Sequence, residues 1–146
     1  MNHVTEKKLN NKGFSLVELI IVIAIMAVLI GVLAPQYLKY VEKSRNSTDQ
    51  DNAAAIESAL QVWAAETDST SLYIAGKTAT VTVTSSGGTV AGDNATAASA
   101  ALTDAGITIG NVKCASKTKW TQYVVTVSVD ANGKVTTSVA YSTPTP

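Results

Sequence analysis

The sequence predicts an α+β protein in which a long N-terminal α-helix, hydrophobic in its first half, carries a small antiparallel β-sheet head on its second half. Three observations lead to this fold class. Residues 13–38 are mostly apolar and carry a single charged side chain, apolar residues recur at helical spacing between residues 53 and 64, and three alternating runs rich in β-branched residues follow residue 77. A period of 3.6 indicates a helix, and a period of two indicates strands.

The first half of the predicted helix is hydrophobic over the length of a membrane span. Between Leu19 and Pro35 the chain has no charged or strongly polar side chain, and apolar flanks extend this segment to residues 14–38. A transmembrane helix needs about 20 mostly apolar residues. Lysines stand before it at positions 7, 8 and 12, and basic residues beside a span stay on the cytoplasmic side. We therefore expect the rest of the chain to lie outside.

Two interpretations of this apolar segment compete. A secretory signal peptide has an apolar core of about 7 to 15 residues, followed by a small-residue cleavage site. Here the run is longer, no Ala-x-Ala follows it, and the helical pattern resumes after Pro35, which favours a segment that is retained. Glu18 lies near its start. An acid inside a span usually marks a function, and the alternative is an acid that snorkels to the interface.

Residues 12–19 have the sequence Lys-Gly-Phe-Ser-Leu-Val-Glu-Leu, and a short basic stretch ends at Lys12. This segment resembles the class III signal of type IV prepilins, in which a basic leader ends in Gly, Phe follows, and Glu stands at the fifth residue of the mature chain. Pro35 falls where that family commonly has a helix-kinking proline. The resemblance covers roughly residues 7–66 and implies the pilin fold.

The resemblance implies roles for individual residues. A prepilin peptidase would cut between Gly13 and Phe14 and then N-methylate Phe14. In an assembling filament, the Glu18 carboxylate of an incoming subunit would pair with the new amine of its neighbour and select the register. Gly31 and Pro35 would mark the place where the helix kinks in the membrane or melts in the filament, because both residue types weaken a helix.

Four regions follow from these observations. We predict a leader peptide at residues 1–13, a transmembrane or filament-core helix at 14–38, an amphipathic continuation of the helix at 39–66, and a globular β-rich head at 67–146.

The continuation of the helix changes character along its length. Residues 41–52 are polar on every side, which is typical of a helix that crosses solvent or is covered by partners. Glu42 and Arg45 are spaced to form an ion pair. From residue 53 an apolar stripe begins, and we expect the head to pack on it, with Trp63 as a core anchor. The stripe consists of Ala53, Ile56, Leu60, Trp63 and Ala64.

The head is predicted to contain three strands and one short helix. Residues 78–84 alternate strictly and indicate a strand. An Ala-rich stretch at 93–105 predicts a helix with Asp93 or Asn94 as N-cap and Gly106 as its stop. The other features are a turn at residues 85–88, strands at 122–130 and 134–142 joined by an Asn-Gly hairpin turn, and a loose tail at 143–146.

Charge and cysteine content limit the function. The chain has 11 basic and 11 acidic residues, and a cut after Gly13 removes three lysines and one glutamate. The weakly acidic remainder argues against general nucleic-acid affinity. The single cysteine, Cys114, cannot form an intrachain disulfide. Many Gram-negative pilins close a C-terminal loop with a disulfide. The lack of a second cysteine therefore favours a Gram-positive type of pilin or a pseudopilin. We expect Cys114 to be a small buried residue, with an intermolecular bridge as the alternative.

The sequence contains no catalytic or metal-binding set. The only histidine, His3, lies in the leader, so nucleophilic catalysis lacks its usual base. No Cys/His cluster suits zinc, and no glycine motif suits a phosphate. Asp130 and Asn132 would start a calcium loop, but its remaining ligands are missing. We therefore predict that the protein is not an enzyme and holds neither a cofactor nor a metal.

A small basic patch is the one further feature of the head. Lys113, Lys117 and Lys119 stand beside Trp120 and Tyr123. Lysines interleaved with aromatic residues are one way to contact nucleic acid, and a solvated loop is the more common alternative.

The resemblance implies a structural subunit, a major pilin, that is stored in the cytoplasmic membrane with its head outside. After processing it would polymerise into a surface filament for adhesion, twitching motility, biofilm formation or DNA uptake. The implied partners are further copies of the chain, prepilin peptidase, an inner-membrane assembly platform, an assembly ATPase and membrane lipid. One alternative is a pseudopilin of a type II secretion or competence system. Another is a membrane-anchored extracellular binding module, which has no reason to be cut at Gly13–Phe14.

Overall fold

A computed structural model describes residues 12–66 and 73–143 of the chain. Most of the predicted leader, the predicted start of the head at residue 67, and residues 144–146 of the predicted tail lie outside the described residues. The elements in chain order are α1 (Leu16–Ala65), β1 (Thr78–Thr84), β2 (Gly87–Gly92), α2 (Ala95–Asp104), a 3₁₀ turn (Ile109–Asn111), β3 (Gln122–Val129) and β4 (Val135–Ser142).

The long N-terminal helix is confirmed. α1 runs without a break for 50 residues, and Pro35 lies inside it. The most apolar 18 consecutive residues of α1 have a mean hydropathy of 3.1, and none of them is buried. Among the described residues, α1 is the one helix whose length and composition suit a membrane crossing. Its unburied apolar side chains need a nonaqueous or protein environment outside the monomer, because exposed patches of this size are rare on soluble chains.

The chain divides into two compact units, Met1–Lys39 and Tyr40–Pro146. The first unit contains the apolar part of α1, whose large side chains are more than half exposed at most positions. The second, called the globular unit below, contains the rest of α1, all four strands and α2.

The four strands of the globular unit form one antiparallel sheet in the order β2-β1-β3-β4. β1 is the central partner of two neighbours: Val81 pairs with Val90 of β2 and with Val125 of β3, and Val125 pairs with Val139 of β4. Together with α1, this sheet confirms the predicted α+β fold class.

The core of the globular unit lies between the sheet and the second half of α1. In β1 and β3 every second side chain is buried, as period-two alternation requires for a sheet with one covered face. From the helix side, the four residues Ala53, Ile56, Leu60 and Trp63 are buried in the same cluster, and Ala64 packs against it half-buried. The strands contribute mainly Val81, Val83, Tyr123, Val125 and Val127, and α2 contributes Ala97, Ala98, Ala101 and Leu102.

α2 is shorter than predicted, and its start differs from a capped helix. It covers Ala95–Asp104 rather than residues 93–105, and Asn94 occupies the N-cap position without a side-chain cap bond. The Asn94 side chain is instead 1% exposed and bonds the backbone of Ile74 and Lys77. It therefore ties α2 to the segment before β1. At the other end the N–H groups of Gly106 (φ +74°) and Ile107 close a Schellman motif, which confirms Gly106 as the stop.

β2 is a strand that was not predicted from the sequence. Residues 85–88 are predicted as a turn, but Gly87 and Gly88 already belong to β2. A Cβ atom at Gly88 would lie 2.7 Å from the carbonyl oxygen of Ile109 and 2.7 Å from its side chain. The two glycines therefore allow the 3₁₀ turn to lie directly on the strand. Their role is close packing, whereas Gly-Gly in a sequence more commonly indicates a turn.

The predicted hairpin between the last two strands is confirmed. β3 and β4 pair from Gln122–Ser142 to Val129–Val135. In the turn, the Asp130 carboxylate accepts the N–H groups of Asn132 and Lys134, each at 2.8 Å, and Gly133 adopts φ +82°. Asp130 thus closes an Asx-type turn, which accounts for its place beside Asn-Gly without a metal ion.

Candidate functional site

The junction that the resemblance singles out lies just before the start of α1. Residues 12–15 are not helical, and a Cβ atom added at Gly13 would have no neighbouring atom within 4 Å. The Phe14 side chain is 93% exposed. The peptide bond between Gly13 and Phe14 is therefore exposed and lies outside regular secondary structure.

Glu18 and Ser15 together determine where α1 begins. The Ser15 N–H donates to Glu18 Oε2 at 2.8 Å, and Ser15 Oγ accepts the Val17 N–H at 3.3 Å. This is a variant of the capping box, in which a Ser at the N-cap and a Glu three residues on satisfy helix-end donors reciprocally. The sequence signal for this cap, Ser-x-x-Glu before an apolar run, is present at residues 15–18 and is sufficient to predict it.

The cap also places a negative charge where a helix favours one. Glu18 lies in the first turn of α1, and the N-terminal end of a helix carries a partial positive charge. The carboxylate is thus held beside the exposed Gly13–Phe14 junction by its own chain. Farther along the same helix, Gly31 has open space where a side chain would stand, and Pro35 follows one turn later.

A second polar site lies in the globular unit, where a buried acid of α1 accepts hydrogen bonds from the loop that precedes β3. Asp49 is completely buried, on the same helix face as the apolar stripe. Four donors of the 112–121 loop converge on its carboxylate. They are the N–H groups of Ala115 at 2.6 Å and Ser116 at 2.9 Å, the indole N–H of Trp120 at 2.7 Å, and the Cys114 thiol at 3.4 Å.

Glu42, two helical turns before Asp49, holds the next part of the same loop. Its Oε1 accepts the N–H groups of Lys117 at 2.9 Å and Thr118 at 3.0 Å and the hydroxyl of Ser116 at 2.8 Å. Its Oε2 lies 3.5 Å from Arg45, which confirms the predicted ion pair. The N–H of Lys117, followed by that of Thr118, lowers the pKa of Glu42 from 4.5 to about 2, because these bonds favour the ionised form.

These contacts correct the prediction for residues 41–52. Solvent and partner subunits are not the only reason for its polar residues. At Glu42 and Asp49 the helix is covered by the 112–121 loop of the same chain. A signal was available, because Glu42 and Asp49 precede Ala53 by eleven and four residues and so extend the apolar stripe along one helix face. What the sequence did not provide was the partner, which lies more than sixty residues away.

Cys114 is a buried free thiol, as predicted, but it has a polar partner. Burial, followed by its hydrogen bond to Asp49 and the charge of that carboxylate, raises the pKa of Cys114 to about 11. The thiol is therefore protonated at neutral pH and acts as a donor, which makes it a poor nucleophile.

The basic patch lacks the exposed aromatic rings that the sequence indicates for a nucleic-acid-binding surface. Trp120 and Tyr123 are buried in the core and offer no ring face for stacking on bases. Lys113, Lys117 and Lys119 are exposed, and Lys119 Nζ lies 5.0 Å from the centre of the Trp120 ring. The patch is thus a cationic loop over a buried aromatic cluster. In residues 12–66 and 73–143 there is no group of three or more His, Cys, Asp or Glu side chains that suits a metal ion.

Replacing Asp49 should release the loop. In Asp49→Asn one carboxylate oxygen becomes an NH₂ group that faces donors, so we expect the unfolding free energy to fall by about 2–3 kcal/mol. We also expect faster trypsin cleavage after Lys113, Lys117 and Lys119. Urea unfolding of the full chain in detergent, followed by tryptophan fluorescence, measures the first effect. Asp51→Asn, an exposed site on the same helix, is the control and should change stability by less than about 0.5 kcal/mol; equal effects of the two variants would contradict this role.

The Glu42 contacts should make stability depend on acidic pH. A pKa lowered from 4.5 to about 2 means that the ionised carboxylate stabilises the fold above pH 4.5, and that this contribution is lost as the pH falls towards 2. Wild type should therefore be more stable than Glu42→Gln at pH 7, and the difference should shrink over this window. Thermal unfolding at a series of pH values measures it. A difference that stays constant with pH would exclude titration of Glu42 as the cause.

Comparison with known proteins supports the N-terminal assignment. Residues 8–34 match the prokaryotic N-terminal methylation motif. The chain is 36% identical over 86 residues to prepilin peptidase-dependent protein A of Clostridium perfringens, covering 58% of each chain. It is 34% identical over 58 residues to the type IV major pilin protein PilA of Myxococcus xanthus, covering 40% of this chain and 26% of that one. The chain thus spans less than two thirds of either relative, and no solved structure shows significant similarity to it.

The motif match contains the Gly13–Phe14 junction, Glu18 and Gly31, and ends just before Pro35. The motif and both relatives indicate a structural subunit and not an enzyme. The resemblance to type IV prepilins is therefore confirmed for the N-terminal segment: the chain carries the prokaryotic N-terminal methylation motif at the start of an apolar helix and is similar to a prepilin peptidase-dependent protein and to a type IV major pilin.

Proposed function

We propose that the protein is the structural subunit, and specifically the major pilin, of a type IV pilus. The observation that carries this proposal is the arrangement at the start of α1. An exposed, nonhelical Gly13–Phe14 bond stands directly before an apolar helix with Glu18 in its first turn. The subunit is stored in the cytoplasmic membrane through residues 14–38 as a single span, with residues 39–146 outside.

Processing is the first step of this function. Prepilin peptidase removes residues 1–13 by cutting the Gly13–Phe14 bond and then methylates the new Phe14 amine. The capping box supports this step, because it starts the helix at Leu16 and leaves the preceding residues nonhelical. Gly13 has no side chain and no close neighbour, which lets an enzyme approach its backbone closely.

Glu18 then guides assembly. The positive amine of Phe14 in one subunit pairs with the Glu18 carboxylate of an incoming subunit. The only bond that Glu18 makes in the described chain is to the exposed Ser15 N–H, so its carboxylate is accessible to a new partner. In an apolar filament core a wrong register leaves a charge unpaired, which costs about 3–5 kcal/mol. The pair therefore selects the register.

Gly31 and Pro35 provide the adjustable part of the span. Gly lacks side-chain packing, and Pro lacks the N–H that continues the helix ladder. We place the point where α1 bends or melts during assembly between these two residues. An assembly platform in the inner membrane and an assembly ATPase supply the driving force. The resulting surface filament serves adhesion, motility or DNA uptake, although direct contact with DNA has only the exposed lysines of the 112–121 loop in its favour.

The processed N-terminus provides the first test. Intact mass and N-terminal sequencing of the protein from its native membrane or cell surface should give a chain that begins at methylated Phe14. Gly13→Ala in the same strain should accumulate the full-length precursor. A chain that begins at Met1, in a strain known to process prepilins, would overturn the proposal and favour a membrane-anchored binding module.

Substitution of Glu18 tests the assembly step. Glu18→Gln retains an oxygen that accepts the Ser15 N–H, so the helix start is preserved while the charge is lost. Both Glu18→Ala and Glu18→Gln should insert into the membrane, and both should reduce filament yield more than about tenfold, because the partner amine stays unpaired. Sheared filaments quantified against total membrane protein give the yield, with Asp51→Asn as the control. Normal filaments from Glu18→Gln would show that capping, and not charge, is what assembly requires.

A further inference from the structure

The exposed cations of the 112–121 loop have no ionic partner in the described chain. Among residues 12–66 and 73–143 the ion pairs are Arg45 with Glu42 and Lys77 with Asp93. Neither involves Lys113, Lys117 or Lys119, all of which are exposed. Three unpaired ammonium groups within seven residues form a concentrated positive charge on a chain that is formally neutral overall.

Glu42 and Asp49 fix this loop without neutralising its outer face. Their carboxylates accept backbone N–H groups, a hydroxyl, an indole N–H and a thiol, and none of these bonds uses a lysine ammonium group. Asp49 is fully buried, and the Glu42 side chain is 16% exposed. The acids therefore lie beneath the loop, while the lysine side chains extend from its surface.

The loop is bound by the first turns of the part of α1 that belongs to the globular unit. Glu42, which binds the N–H of Lys117, follows Leu38 by four residues, a rise of about 6 Å along a helix. Strand β3 begins at Gln122 beside the loop and ends at Val129, where Gly76 and Lys77 bond it. Lys77 and Lys134 thus mark the opposite end of the sheet.

We infer that the 112–121 loop binds anionic phospholipid headgroups and docks the globular unit on the membrane surface while the subunit is stored there. This inference rests on the proposed membrane storage and goes beyond it by assigning a lipid site. A cationic side chain near an anionic bilayer strengthens association roughly fivefold. The loop contributes three such side chains and is bound to Glu42, four residues after the apolar segment ends at Leu38. Headgroup phosphates supply the negative charge that the described chain does not.

The native lysines can report the docking directly. The full-length chain is placed at one copy per nanodisc, made either of phosphatidylcholine alone or of phosphatidylcholine with phosphatidylglycerol. Acetylation of each lysine is then timed by mass spectrometry. With the anionic lipid, Lys113, Lys117 and Lys119 should each be acetylated about fivefold more slowly, while Lys77 and Lys134 keep their rates. The protection should disappear at 1 M salt, where the screening length is about 3 Å.

Matched variants test whether the loop acts as a unit. In Lys117→Gln/Lys119→Gln the remaining Lys113 should lose its lipid-dependent protection. In the control Lys77→Gln/Lys134→Gln, Lys113 should keep it. Equal rates in the two lipids, or equal protection of both ends, would overturn the lipid site, and protection that arises only in assembled filaments would assign the loop to a neighbouring subunit instead. Failure of the chain to insert into nanodiscs is a separate result, which would count against the proposed membrane storage itself.

Discussion

The buried carboxylate of Asp49 is the interaction on which the globular unit depends. A lone carboxylate in a core is strongly unfavourable unless donors surround it, and here a backbone segment and an indole supply them. The same contacts place Trp120, two residues before β3. They thus determine where the central strands begin relative to α1. The acid acts as a specific anchor on a helix face that is otherwise covered by nonspecific apolar packing.

Local patterns were sufficient to predict most of the fold. The period of two in β1 and β3, the Asn-Gly turn and the stop at Gly106 each depend on a few neighbouring residues, and the structure confirms all of them. β2 was missed because its glycines are explained by a distant contact, the 3₁₀ turn at Ile109–Asn111. A single sequence gives no indication of which distant backbone will approach a glycine pair.

The candidate functional site also contains local features that could be predicted from the sequence and a distant contact that could not. The Gly-Phe junction and the spacing to Glu18 could be recognised because all their residues lie within one short segment, and the motif match covers that segment. The capping bond from Ser15 was also local and could have been predicted from Ser-x-x-Glu. The partner of Asp49 could not, because a polar residue within an apolar helix face shows only that some donor must reach it, and that donor is more than sixty residues distant.

Carboxylates that accept backbone N–H groups recur through the chain, at Glu18, Glu42, Asp49 and Asp130, but their burial gives them different uses. Asp49 has no access to another partner, so its bonds persist for as long as the unit is folded. Glu18 is exposed and holds one donor that water or another group can replace. Exchange of partners during assembly is therefore feasible at Glu18 and unfavourable at Asp49. The proposed transfer of the subunit from lipid into a filament requires both properties, because the globular unit would stay rigid while the end of the helix changes its contacts.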